Sequence, residues 1–129
     1  MKKIRSTVWR LAALSLVPFT FASSRAEAAD LRHGGDVFAQ ECAECHSVRE
    51  GKNKKGPSLF AVAGRKAALV ADFAYSDAMK ASGIVWTPAA LDAYIANPRK
   101  AVPGGKMKYD GLADGTDRED LLVYLGSLK

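Results

Sequence analysis

Apolar residues along this chain recur at the three- and four-residue intervals of helices rather than at the two-residue alternation of strands. The last stripe is the best marked. Leu121, Leu122, Leu125 and Leu128, with Tyr124, share one face of a segment that Thr116 and Glu119 open as a capping box. Asp117 and Asp120 place negative charge near the positive end of that helix. An earlier helix starts at Thr87-Pro88, with threonine as cap and proline in the first turn. It carries Leu91, Tyr94 and Ile95 on one face and closes at Asn97-Pro98. Ser76 caps a short helix through Ala81 that Gly83 ends. Near the start, Val37, Phe38, Cys42 and Cys45 recur at helical spacing after Gly34-Gly35. A loop from Gly51 to Pro57 and an irregular stretch from Gly64-Arg65-Lys66 to Tyr75 lie between. Neither an internal repeat nor a convincing run of strands interrupts this pattern. The fold class is all-α.

The first residues follow a different logic. Lys2, Lys3, Arg5 and Arg10 make a basic start, Leu11 to Ala22 a mostly apolar run broken by Pro18, and Ala26-Glu27-Ala28 an A-x-A cleavage pattern. The run falls short of the roughly 20 residues that a membrane span needs. Residues 1–28 therefore read as a secretory signal and 29–129 as one small domain, with the periplasm as destination. Charge changes accordingly. The formal +5 includes Lys2, Lys3, Arg5, Arg10 and Arg25, offset by Glu27; from Ala29 onward 14 basic and 13 acidic side chains remain, a net of +1. The basic balance belongs largely to the signal, and no basic patch interleaved with aromatics suggests nucleic acid.

Candidate chemistry concentrates in Cys42-Ala43-Glu44-Cys45-His46. Residues three apart on a helical turn share a face, so both thiols can reach two vinyl groups on one edge of a porphyrin. The adjoining His46 can then offer an imidazole nitrogen to iron. Other readings of the two cysteines are weaker. A zinc site needs four ligands, and the only other histidine is His33. A redox dithiol of thioredoxin type needs strand–helix alternation around it. A structural disulfide is awkward at this spacing inside a helix. The pentapeptide points to one haem c, covalently attached through Cys42 and Cys45.

Haem iron has a second axial position, and its occupancy separates a carrier from an enzyme. Met107 lies in Pro103-Gly104-Gly105-Lys106-Met107, an interhelical loop whose glycines let the backbone bend close to a ring. That loop makes Met107 the leading ligand. Met79, which reads as core filler, His33, which reads as solvated near the processed end, and an open position are the alternatives.

The ordered motifs closely resemble the class I c-type cytochromes, soluble carriers of mitochondria and of respiratory and photosynthetic bacteria. The likeness runs from Gly34 and Phe38 through the pentapeptide, Gly56-Pro57, Gly64-Arg65-Lys66, Tyr75-Ser76-Asp77-Ala78 and Gly83-Ile84-Val85-Trp86. It continues through Asn97-Pro98-Arg99-Lys100, the Met107 loop, Arg118-Glu119-Asp120-Leu121 and Tyr124-Leu125. The resemblance implies a small cytochrome c fold, with helices and loops wrapped around one haem. It implies that the Pro57 carbonyl accepts a hydrogen bond from His46 and that Tyr94 offers its hydroxyl toward the Met107 sulfur. Trp86, Tyr75 and Arg65 would hold the haem propionates. Phe38 and the Leu121–Tyr124 region would mark the crossing of the first and last helices. Two positions depart from the mitochondrial pattern: Glu41 stands in place of a lysine, and Met79 in place of a polar pocket residue. The first weakens a positive docking ring; the second dries the pocket or shifts the potential.

The resulting expectation is a monomeric one-electron carrier that is not an enzyme and has no small-molecule substrate. It would shuttle between membrane-bound redox complexes or periplasmic dehydrogenases, docking them at the exposed haem edge. Arg99, Lys100, Lys106 and Lys108, with Lys52, Lys54 and Lys55, would face acidic partners; Asp114, Asp117, Glu119 and Asp120 would form the opposite pole. The rival readings are a permanent electron-transfer subunit of a dehydrogenase and a five-coordinate haem enzyme or gas sensor.

Overall fold

The computed structural model describes residues 28–129; all of the signal reading except Ala28 lies outside the described residues. Five helices follow one another: α1 (Leu31–Glu41), α2 (Asp77–Ala81), α3 (Pro88–Ala96), α4 (Pro98–Ala101) and α5 (Gly115–Ser127). Extended pairing among the described residues is confined to a single bridge between Lys66 and Val85.

The starts of α2 and α3 follow the capping chemistry expected of them. The Ser76 hydroxyl accepts from the Met79 amide at 3.1 Å, and the Thr87 hydroxyl from the Ala90 amide at 3.2 Å. Asn97-Pro98 closes α3 and at once opens α4, because the Asn97 side chain caps the Lys100 amide at 3.0 Å. This extra turn was not expected from the sequence. The capping box on α5 is corrected: its cap is Asp114, which accepts from the amides of Thr116 at 2.8 Å and Asp117 at 3.0 Å. The Asp114 carboxylate, two residues ahead of Thr116, is the better acceptor for a positive helix end and takes the site.

The first helix also differs from expectation. Gly34 and Gly35 do not precede α1; they lie inside it, and Asp30 caps it. Two interior glycines cost a helix roughly 1 kcal/mol each. The crossing with α5 explains Gly34. A Cβ there would lie 2.0 Å from the Asp120 carbonyl oxygen, so only hydrogen lets the two backbones approach. Phe38 packs against Tyr124 at the same crossing, ring centroids 5.6 Å apart.

A buried carboxylate secures this junction. Asp120 is only 5 % exposed and accepts from the Asp30 amide at 2.6 Å and from His33 Nδ1 at 2.7 Å. Asp120 therefore does not belong to the exposed acidic pole, and His33 is not simply solvated. The hydrogen bond to Asp120 chiefly raises the His33 pKa above 6.5, with Asp117 and Asp30 adding attraction against desolvation. The same bond, with the Asp30 amide, lowers Asp120 below 3.8. A raised histidine stabilises fully below its unfolded pKa and loses that contribution as pH climbs through the folded one. A depressed carboxylate stabilises above its unfolded pKa and loses that contribution as pH falls through the folded one. The stability gap between wild type and His33→Ala should thus be widest between pH 3.8 and 6.5 and narrow on either side. Denaturant midpoints across that range measure it; a gap independent of pH would contradict the pairing.

Few side chains form the core: Val37, Phe38, Val62, Met79, Trp86, Leu91, Ile95, Val102, Leu121 and Leu125. Of these only Leu121 and Leu125 count as wholly enclosed, and both line a cavity. The centre of the fold is a space that helices and loops together surround.

Candidate haem site

The cavity has a volume of about 610 Å³ and a predominantly apolar lining. That size falls within the usual range for cofactor pockets, roughly 300–1,000 Å³. Leu91, Tyr94 and Ile95, which share one face of α3, contribute one part of the wall, and Leu121 and Leu125 of α5 another. All nine residues named from the sequence as haem-binding line it. Cys42, Cys45, His46 and Pro57 come from the segment after α1; Arg65, Tyr75 and Trp86 from the irregular middle; Tyr94 from α3; Met107 from the loop after α4.

The pentapeptide follows α1 as a tight turn, not as part of the helix. Cys42 caps α1, and its carbonyl accepts from the amides of Cys45 at 3.0 Å and His46 at 2.9 Å. This i to i+3 and i to i+4 bonding keeps both sulfurs part-exposed along one edge of the cavity. Burial, with Glu41 and Cys45 beside it, pushes the Cys42 thiol up to about 11, so it is held as a thiol and not as a metal-binding thiolate.

His46 is oriented by the backbone. Its Nδ1 donates to the Pro57 carbonyl at 2.8 Å, which leaves the Nε2 lone pair of the neutral ring for a metal. Burial is the main force holding its pKa below 6.5; the Pro57 bond opposes this, and Lys54 reinforces it. Gly56 makes the approach possible, since a Cβ there would sit 2.4 Å from Cε1 of the imidazole.

The remaining polar groups lie around an apolar interior. Trp86 stacks obliquely on Tyr94 with ring centroids 5.0 Å apart, and Phe73 meets Tyr75 edge-on at 4.8 Å. Arg65 donates to the Phe60 carbonyl at 2.7 Å and the Ser58 carbonyl at 3.1 Å, so two backbone groups hold its guanidinium in place. Burial raises the phenol pKa of Tyr75 and Tyr94, keeping both as hydroxyl donors. Met79 is both core residue and cavity wall, with the Ser82 hydroxyl 3.9 Å from its sulfur. Tyr109 donates to Glu41 at 2.8 Å; burial first, then that carboxylate, pushes its phenol pKa upward.

Sequence reasoning missed part of the wall. Phe73, Val62 and Leu59 line the cavity from stretches without helical period, and only their apolar character within the irregular middle hinted at it. Three of the expected docking lysines are engaged locally: Lys55 pairs with Glu44, Lys54 donates to the Ala43 carbonyl, and Lys106 to the Ala74 carbonyl.

A small helical shell around an apolar cavity, edged by two thiols and an imidazole with one nitrogen free, defines a protein that wraps a covalently attached porphyrin. The Cytochrome c family model matches residues 31–129, and the chain belongs to the cytochrome c family. It is 43% identical over 97 residues to cytochrome c of Gibberella zeae, covering 74% of this chain and 92% of that one. It is 46% identical over 96 residues to cytochrome c2 of Rhodopila globiformis, covering 74% and 91%. Among solved structures it is similar to cytochrome cH from Methylobacterium extorquens, with TM-score 0.69, 40% identity, and coverage of 74% of this chain and 96% of that one. The family consists of electron carriers holding haem c through two cysteines, and Cys42 and Cys45 are the only two this chain has.

Proposed function

We propose that this chain is a periplasmic one-electron carrier, and no enzyme, with His46 and Met107 as the two axial ligands of its haem iron. Residues 1–28 act as the export signal and 29–129 as the mature domain. One observation carries the reading: a single apolar cavity is lined by both cysteines, by the Pro57-anchored His46 and by Met107. When bound, the haem supplies an iron that alternates between ferrous and ferric states. The chain's residues set the conditions for that change. The Pro57 carbonyl holds the His46 ring in one orientation, the thioether of Met107 favours ferrous iron, and the apolar lining disfavours the added charge of ferric iron. Arg65, Tyr75 and Trp86 are the propionate partners, and Tyr94 directs its hydroxyl toward the Met107 sulfur. The part-exposed edge at Cys42 and Cys45 is the electron's exit.

Two spectra test this reading. Ferric protein should show a weak far-red sulfur–iron band, and reduced protein should not respond to carbon monoxide. Rapid carbon monoxide binding would assign the chain to the haem enzymes or gas sensors.

Donor and acceptor are redox proteins with an acidic face. Lys55, Lys106 and Lys108 line the cavity mouth and are exposed. Arg99 is paired with Asp110 at 3.0 Å and Lys55 with Glu44, whereas Lys106 meets only the neutral Ala74 carbonyl and keeps its charge unpaired, so Lys106 and Lys108 are the stronger contributors. The acidic pole is Asp114, Asp117 and Glu119. A Lys106→Glu, Lys108→Glu protein should transfer electrons to an acidic partner at least tenfold more slowly at low salt and converge with wild type at high salt. Stopped-flow rates against ionic strength measure this, and equal rates at low salt would remove the docking assignment.

A further inference from the structure

The Met107 loop is held in an unusual way. From Lys106 to Gly111 the backbone makes no backbone–backbone hydrogen bond among the described residues; the nearest lie outside, from Gly105 to Val102 at 3.0 Å and from Leu112 to Ile95 at 3.0 Å. Side chains secure the segment instead. Asp110 pairs with Arg99 of the adjoining α4, which ties the loop to its own side of the cavity. The exposed Lys106 ammonium reaches the Ala74 carbonyl at 3.3 Å. The Tyr109 hydroxyl donates to Glu41 Oε2 at 2.8 Å, joining residues 68 positions apart. Among these ties, only the last reaches the α1–pentapeptide segment. Glu41 ends α1 and directly precedes Cys42, and both Glu41 and Tyr109 line the haem cavity.

We infer that the Tyr109–Glu41 hydrogen bond is a clasp that positions the Met107 loop and keeps the axial ligand seated. The inference rests on the reading of Met107 as ligand. The chemistry suits the role. A phenol donating to a carboxylate is a charge-assisted bond, stronger than a neutral pair, and it lies on a loop with little other restraint. Breaking it should leave helices and core untouched, since neither residue belongs to the buried core. It should increase the fraction of time in which the loop lifts. An external ligand for ferric iron would then enter faster. Glu41 thus acquires a task of its own: the acid that weakens a docking ring closes the crevice.

Cyanide binding to ferric holoprotein reads this opening directly. Wild type should show the far-red band and bind cyanide slowly. Tyr109→Phe and Glu41→Ala should each bind roughly fivefold faster, about the effect of losing one solvent-accessible hydrogen bond. Glu41→Gln, which retains an acceptor oxygen but not the charge, should bind at a rate between those of Glu41→Ala and wild type. The Tyr109→Phe, Glu41→Ala double variant should be no faster than either single one, with thermal midpoints close to wild type throughout. Single variants at the wild-type rate, multiplying effects in the double variant, or Glu41→Gln as fast as Glu41→Ala would each overturn the clasp. A wild type without the far-red band that binds cyanide at once would instead overturn Met107 as ligand, so the two failures are distinguishable.

Discussion

A Cys42→Ala, Cys45→Ala protein is expected to lose cooperative thermal unfolding altogether. The reason is volumetric. Side chains alone enclose little: Leu121 and Leu125 are the wholly buried ones, and both face a cavity of about 610 Å³. Empty apolar volume costs on the order of 24 cal/mol per Å³, which scales here to a ceiling of roughly 15 kcal/mol. Whole domains are stable by only about 5–15 kcal/mol. Water entering the space or collapse of the walls would lower the cost, but collapse also surrenders the packing of α3 and α5 around it. Without covalently held haem the chain should therefore retain some helix in its far-ultraviolet dichroism while showing a broad, non-cooperative melt. A sharp calorimetric transition in the double variant would show that the shell is self-sufficient.

Met107→Ala should have the largest effect on the haem itself. The far-red band should vanish, and reduced protein should bind carbon monoxide where wild type does not. The potential should drop on the order of 0.1–0.3 V within the roughly 0.8 V span that axial ligands command. The drop follows from losing a soft thioether that favours ferrous iron and from admitting water to an otherwise apolar wall. Met79→Ala is the internal control. Met79 lies in α2 and lines the same cavity, so its loss should lower stability yet leave the band in place. If Met79→Ala abolished the band and Met107→Ala kept it, the ligand assignment would be reversed.

The sequence made the site more legible than the architecture around it. Residue type and spacing pointed to Cys42, Cys45, His46 and Met107, because cofactor chemistry restricts both together; the resemblance to class I c-type cytochromes supplied Pro57, Arg65, Tyr75, Trp86 and Tyr94, and all nine line one cavity. Helix starts at Ser76 and Thr87 were equally readable, since a cap is a local bond. Non-local pairings were not. Gly34 reads as a breaker until the Asp120 carbonyl is seen against it, and His33 reads as solvated until Asp120, 87 positions away, is brought to its ring. The start of α5 was misplaced because Thr116 and Glu119 fit a capping box, while the cap is Asp114 two residues earlier. Phe73 and Val62 had no period to reveal them, as irregular backbone encodes no face.

The junction of α1 with α5 has a consequence for the order of assembly. Asp120 joins Asp30 and His33 across 90 and 87 positions, and the contact depends on a glycine that gains nothing until its neighbour arrives. Contacts this distant form only after a large loop has closed. During synthesis, α1 lacks its α5 partner until the end of the chain has emerged. The pentapeptide, fastened to the end of α1, should therefore be accessible throughout that interval. The fold thus contains its own delay, a window in which both thiols are reachable before the last helix closes on them.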